Sequence, residues 1–222
     1  MIPLALRSYN EQTFHLRELI IVHNDERPFK KEILTGIKGK IELIEINRRV
    51  KPGIARNLGI KIAQYDYIAK CDDDDWYYPK RLEVMFEIME RDKSLLATAY
   101  SLLSAYDVIK EKYGVVDKPS WYFDGSIMGR KKDLLEIIKK IETSGGPPCP
   151  FKWLKDNIFR KDLSKIGRIR DLTHLLILFH GENDCNNWDY VTYEDKKENL
   201  IKRFPSYVIE SLKEISLKRK SF

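Results

Sequence analysis

The stretch that decides the fold is 53-GIARNLGIKIAQYDYIAKCDDDDWYYP-79. Ala55, Leu58, Gly59, Ile62 and Ala63 recur at helical spacing, and Pro52 with Gly53 punctuates the start, so the first part reads as a helix with Arg56 in its first turn. "DYIAKC" reads as a short apolar strand, and the consecutive aspartates Asp72 to Asp75 follow at its end. Pro79 suits the first position of a second helix, in which Leu82, Met85, Phe86 and Met89 form an i, i+3, i+4, i+7 stripe facing a core.

Outward from this stretch the same rhythm continues. "IPLALRSY" and "LRELIIVHN" read as strands one and two, "KIELIEIN" as strand three and "DYIAKC" as strand four, which with the intervening helices implies an α/β chain with a largely parallel sheet. Further on, "SLLATAYSLLSAYDVI" is ambiguous between strand and helix, "WYFDGSIMGRKKDLLEIIKKI" leads into a helix, and "TSGGPPCP" is a loop. One more helix, the apolar strand "LTHLLILFH" and an amphipathic helix, "SYVIESLKEISLKRKSF", complete the chain. No internal repeat or low-complexity linker divides it, which favours one domain.

Composition narrows the class without naming it. A chain of 222 residues with 43% hydrophobic content can bury one sizeable core. The net charge of +6 and a pI near 9.0 point to an anionic partner, whether nucleic acid, a membrane surface or a phosphorylated small molecule. Cys71, Cys149 and Cys185 lie far apart without metal-ligand spacing, which argues against a disulfide framework and a zinc site. No apolar run reaches the roughly 18 residues that span a bilayer, and "MIPLALRSYN" lacks the pattern of a cleavable leader. The expectation is a soluble, cytoplasmic protein. Leu212, Ile215 and Leu217 with the run Lys218-Arg219-Lys220 offer peripheral contact with the inner face of a membrane, beside the alternative of a solvated helix end.

Four adjacent carboxylates in a basic protein need a reason. In an extended segment Asp72 and Asp74 share one side while Asp73 and Asp75 share the other. Two unit charges about 4 Å apart repel by about 1 kcal/mol in water and about 4 kcal/mol at an effective dielectric of 20, so converging carboxylates call for a cation or full solvation. Oxygen-only ligands select a hard divalent ion such as Mg or Mn. Position agrees, because ligands of α/β sheets bind beyond the carboxyl ends of strands. The competing explanation is a solvated acidic turn that caps the next helix, with Asp75 the member best placed for it.

The order "IPLALRSYN", "ELIIVHNDE" and "NRRVKPGIARNLGIKIAQYDYIAKCDDDDWYYPKRLEVM" resembles nucleotide-sugar-dependent glycosyltransferases of family 2. The resemblance is strong over roughly residues 1 to 90. It implies a GT-A (Rossmann-like) fold, a mostly parallel mixed sheet flanked by helices, in a single domain over residues 1–222. Residues 1–92 would be the nucleotide-sugar-binding half, 93–193 the acceptor-side half, and 194–222 a basic helical tail.

The same resemblance implies roles. Asp72 and Asp74 match the Asp-x-Asp pair that holds Mn or Mg against the donor's diphosphate, with Asp72 and Asp73 on the donor side. Arg56 matches an arginine near the pyrophosphate, its alternative being a solvent-facing helix charge. Arg7, Ser8 and Tyr9, in a first-strand loop, would line the nucleoside pocket. Where the family has an aspartate after its second strand this chain has His23 or Asn24, with Asp25 slightly later, which leaves the nucleotide, UDP or GDP, open. Trp121, Asp124 and Gly125 fall in the segment near acceptor and donor sugar. Asp156, in "FKWLKDNIFRKDL", is the base that would deprotonate the acceptor hydroxyl in an inverting transfer, with Asp124 as its rival. His180, in "LILFHGEND", would contact metal or diphosphate unless it is structural. The implied partners are a nucleoside-diphosphate-sugar donor and a glycan, lipid-linked or protein acceptor. A metal-dependent nuclease, a sugar-nucleotide nucleotidyltransferase and a non-catalytic binding module are the alternatives. The chain lacks a second acidic constellation and an aromatic-rich basic ribbon for the first, and a Gly-rich first-strand loop for the second.

Overall fold

A computed structural model of the chain describes residues 2–117, 122–145, 149–173, 175–179, 191–194 and 202–220; for Asp124, Phe179, residues 191–194 and residues 216–220 it describes the backbone alone. The chain opens with helix α1 (Ile2–Asn10), followed by strands β1 (Glu18–His23) and β2 (Lys40–Glu45), helix α2 (Pro52–Ile62) and strand β3 (Tyr67–Ala69). Beyond the aspartates come β4 (Trp76–Tyr77), α3 (Arg81–Arg91), β5 (Ala97–Asp107), β6 (Lys112–Asp117), β7 (Met128–Arg130) and α4 (Lys131–Ser144). A short helix α5 (Pro150–Leu154) runs into a π-helical turn (Lys155–Phe159), and β8 (Ile166–Arg170), β9 (Leu175–Phe179), β10 (Val191–Glu194) and helix α6 (Ser206–Lys220) follow.

The first strand expected from the sequence is a helix. "IPLALRSY" forms α1 because its buried side chains Leu4 and Ser8 stand one helical turn apart, and Gln12 continues the line. A short apolar run does not separate strand from helix by periodicity; the partners decide. Here Leu4 packs in one cluster with Trp76 and Leu176, and the Gln12 amide nitrogen bridges Ser8 O at 3.1 Å and Tyr78 O at 2.8 Å.

The sheets are organised around β5. Its first half pairs with β7 on one edge and β8 on the other; its second half pairs with β6 and β9 in their place. β3 joins the outer edge of β7, and β4 joins β9. The chain therefore leaves β3 on one side of β5 and re-enters at β4 on the other, and residues 70–75 make that crossing. This topology, more than strand polarity, brings the aspartates to the ends of several strands at once.

β1 and β2 pair in parallel as a separate two-stranded sheet. In the larger sheet two of the described pairs are parallel and five antiparallel, so the sheet is mixed as expected but not mostly parallel: its majority is antiparallel. Short connections explain this: β5–β6 is a hairpin, which only antiparallel strands allow. Gly59 of α2 faces β1, where a Cβ would meet Val22 Cγ2 at 3.4 Å and Ile20 Cγ2 at 3.6 Å, ordinary contact distances.

Three clusters fill the core. One lies between α2, α4, α5 and β5, with Ile60, Leu134, Ile138, Phe151 and Phe159. A second places Met85 of α3 under Tyr100, Leu103 and Ile177. Met85 and Met89 are both 0% exposed, each contributing about 1.5–3 kcal/mol by burial, as their helical stripe implied. In the third, Val208, Ile209 and Leu212 of α6 pack with Leu4, Trp76 and Phe204, and Ile215 rests against them. The described apolar face of the tail helix is thus committed to the protein core rather than presented to a membrane; Leu217 and the side chains of the basic run lie outside the described residues. Among the described residues no helix is long and apolar enough to cross a membrane.

Candidate active site

The strand ends at Ala69, so the alternation expected of the aspartates does not apply; Asp73 and Asp74 sit in a turn. Each carboxylate acquires its environment from tertiary neighbours. Asp72 Oδ1 accepts from Arg56 NH2 at 3.2 Å, and its Oδ2 is 3.2 Å from Lys70 Nζ. Arg56 reaches it from the fifth residue of α2, just past the first turn in which the sequence placed it. The Asp72 amide donates to Tyr77 Oη at 2.6 Å, which ties the run to β4. Gly125 presses against the same carboxylate: a Cβ there would lie 2.5 Å from Asp72 Oδ2 and would also collide with the Phe123 ring.

Asp75 stands apart, though not as a cap. It is 3% exposed, and its Oδ1 accepts from Leu178 N in β9 at 3.2 Å. Burial pushes its carboxyl well above the ordinary range, and the charges of Asp74 and Asp72 push it further. Helix α3 begins at Arg81 with Lys80 in the capping position and no side-chain cap, so none of the aspartates performs that task. Asp73 reaches the surface, yet the protein around it, and then the Asp74 charge, raise its pKa.

Beneath the run lies Arg81, 1% exposed, whose NH2 donates to Lys70 O at 2.6 Å and whose NH1 is 3.1 Å from Cys71 Sγ. Its guanidinium also lies 4.1 Å from the centroid of the Tyr77 ring. Sequence reading missed Arg81, Lys70 and Tyr77. The signal available for Lys70 was a cation inside an apolar strand immediately before an acidic run; Arg81 looked like an ordinary first-turn charge.

Other expected residues fall elsewhere. Arg7 and Tyr9 are on α1, not in a strand-end loop, because the segment is helical. Arg7 pairs with Glu11 at 3.2 Å and lies 3.5 Å from the Tyr207 ring centroid. Tyr9 Oη is buried with no hydrogen-bond partner placed among the described residues, and burial is the main cause of its raised pKa. Asn24 Nδ2 donates to Val50 O at 2.9 Å, pinning the end of β1 to the loop before α2. Asp25 is engaged by Arg27, whose NH2 is 2.8 Å from Oδ2; the side-chain hydrogen bond holds the carboxyl far below its usual range.

Asp156 lies on the π-helical turn, where Lys152 and Arg160 each stand 3.4 Å from it. The same turn carries Phe159, which packs edge-on against Tyr122 at 5.3 Å, so this helix adjoins the segment that delivers Gly125. Asp124 belongs to a 3-10 turn (Asp124–Ser126) whose backbone alone is described at that residue. Trp121, His180 and Cys185 lie outside the described residues.

For a hard divalent ion, the carboxylate oxygens of Asp72 and Asp74 are of the right chemistry, and both side chains are partly accessible. Among the described residues no group of three or more His, Cys, Asp or Glu is arranged as a ready metal cage. Such a site suits an ion that takes its remaining ligands from phosphate and water.

An arginine near the start of α2, an acidic crossing at the strand ends and a glycine in contact with it stand together in this α/β fold. The family model described as glycosyl transferase family 2 matches residues 1–147, and the chain belongs to that family. An uncharacterized glycosyltransferase of Methanocaldococcus jannaschii is 26% identical over 169 residues, 64% of this chain and 58% of the relative. One from Rickettsia felis is 30% identical over 126 residues, 55% of this chain and 20% of the relative. The chain thus spans little more than half the length of the first of these curated relatives and a fifth of the second. Among solved structures, Staphylococcus aureus TarS 1-349 in complex with UDP-GlcNAc superposes with a TM-score of 0.56 at 14% identity, covering 82% of this chain and 56% of that one. The fold is the GT-A fold: a mixed, curled sheet flanked by helices in one domain.

Proposed function

We propose that the protein transfers a sugar from a nucleoside-diphosphate-sugar to an acceptor hydroxyl, with inversion and with the help of Mn or Mg. The observation that carries this reading is Asp72 held between Arg56 and Lys70 against Gly125, at the end of the strand that the family's donor motif follows. UDP is the first nucleotide to test, because the superposing TarS structure carries UDP-GlcNAc; GDP is the second.

In this mechanism Arg56 and the N-terminus of α2 hold the diphosphate. Asp72 and Asp74 would hold the metal, which when bound acts as a Lewis acid on the departing phosphate oxygen. Asp156 takes the proton of the acceptor hydroxyl, with Asp124 its rival for that role. The acceptor oxygen bonds to the anomeric carbon as the bond from that carbon to the diphosphate breaks, so the nucleoside diphosphate leaves and the configuration inverts. The fixed cations stabilise charge as it develops on the leaving group. A glycan, a lipid-linked sugar or a protein side chain would serve as acceptor.

The test is turnover of UDP- and GDP-sugars with Mn or Mg. Asp74→Ala is expected to lower it by about a hundredfold and to blunt its metal dependence. Unchanged turnover and unchanged metal dependence would sink the assignment.

A further inference from the structure

Lys70 ends the apolar stretch of β3 and carries its ammonium into the site instead of out to water, with the residue 8% exposed. Nζ stands 3.2 Å from Asp72 Oδ2 while Arg56 NH2 stands 3.2 Å from Oδ1 of the same carboxylate. The backbone of Lys70 is fixed from both sides: its N–H donates to Ile127 O at 2.8 Å, and its carbonyl accepts from buried Arg81 at 2.6 Å. A buried lysine loses hydration and side-chain freedom, and balancing Asp72 does not require it, because Arg56 already does so. Two cationic side chains thus converge on one carboxylate at the strand end, and both carry donors that suit a polyanion.

We propose that Lys70 is a diphosphate-binding residue, and that Lys70 and Arg56 together hold Asp72 until a nucleoside diphosphate draws them away and releases the carboxylate to a divalent ion. The inference rests on the sugar-nucleotide reading and adds an order to it, nucleotide before metal. An ammonium and a guanidinium on the two oxygens of Asp72 occupy the space a hard cation needs and repel it. A diphosphate brings more negative charge than Asp72 does, and the flexible stem of Lys70 turns its donors to it without moving the anchored backbone.

Lys70→Met keeps the length and apolar stem while removing the charge. The experiment titrates the wild type and this variant with UDP and with GDP, each beside its nucleoside, and follows Mn binding without nucleotide by electron paramagnetic resonance. The variant is expected to bind the diphosphate about ten- to a hundredfold more weakly, the nucleoside equally well, and Mn alone more tightly than the wild type. Lys70→Arg should recover most of the diphosphate affinity. A merely structural lysine would instead weaken nucleoside and diphosphate alike and weaken Mn, and that result overturns the proposal. Should the methionine variant unfold, Lys70→Gln answers the same question with the same outcomes. Failure of the wild type to bind either nucleotide would overturn the sugar-nucleotide reading itself, whereas wild-type binding with unchanged affinities in the variant overturns only the role of Lys70.

Discussion

Residues 19–22, Leu-Ile-Ile-Val in β1, and residues 175–178, Leu-Leu-Ile-Leu in β9, have almost the same composition and opposite fates. All of β1 is only half-buried, whereas Leu175 to Leu178 are 0 to 2% exposed. The cause is the number of neighbours. β9 pairs on both edges, with β4 and β5, while β1 pairs with β2 alone among the described residues. The two regions also divide the site. The β5-centred sheet holds the aspartate crossing at both ends, while the β1–β2 layer brings α2, and with it Arg56, to meet Asp72.

The largest difference between the two strands is expected in hydrogen exchange. Amides of β9 are expected to exchange only through global unfolding, and those of β1 that face away from β2 through local fraying, at least about a thousandfold faster. Equal protection in a nuclear magnetic resonance or mass-spectrometric time course would mean that β1 has a partner the contrast omits. Cavity substitutions come next. Leu176→Ala should cost about 2–5 kcal/mol of unfolding free energy in urea, and Ile21→Ala about 1 kcal/mol because its site is already partly open to water.

Gly125→Ala tests where the two regions meet. The new Cβ must displace the Asp72 carboxylate or the Phe123 ring, so turnover of a sugar nucleotide should fall at least about tenfold while the melting temperature changes little. If turnover survives, Asp72 is not held where the site needs it.

The smallest effect belongs to Asp75. Its folded pKa is raised above 3.8, so the folded protein keeps a proton that the unfolded chain releases; the stability from this group is whole below pH 3.8 and is lost as pH climbs through the folded value. Asp75→Asn, which keeps the acceptor for Leu178 N, should therefore lose less melting temperature than the wild type between about pH 4 and pH 8. A parallel decline in the two proteins would show that the Asp75 carboxyl is not the group responsible.

Much of the fold was legible in short-range pattern. The helix that carries Arg56 near its start, the strand before the aspartates and the Met85–Met89 stripe all rest on spacings within one element, which local sequence encodes directly. α1 was not legible, because a nine-residue apolar run fits either period and its helical state is set by Trp76, Tyr78 and Leu176 far along the chain. The site divides in the same way. Arg56 and Asp72 were named from their order in the sequence, but Lys70 and Arg81 were not, since a cation's burial depends on what folds over it.

Residue order alone is enough to read the class of chemistry. Carboxylates after a strand and an arginine near a helix start are residue types that the order of the chain displays directly. The state of each aspartate comes from the folded surroundings. Asp72, Asp73, Asp74 and Asp75 are identical in the chain; two cations, the surface, a turn and the Leu178 amide make them different. Residue type is written in the chain, whereas desolvation and pairing are set by whatever the fold brings close, from Lys70 beside Asp72 to Leu178, 103 residues from Asp75.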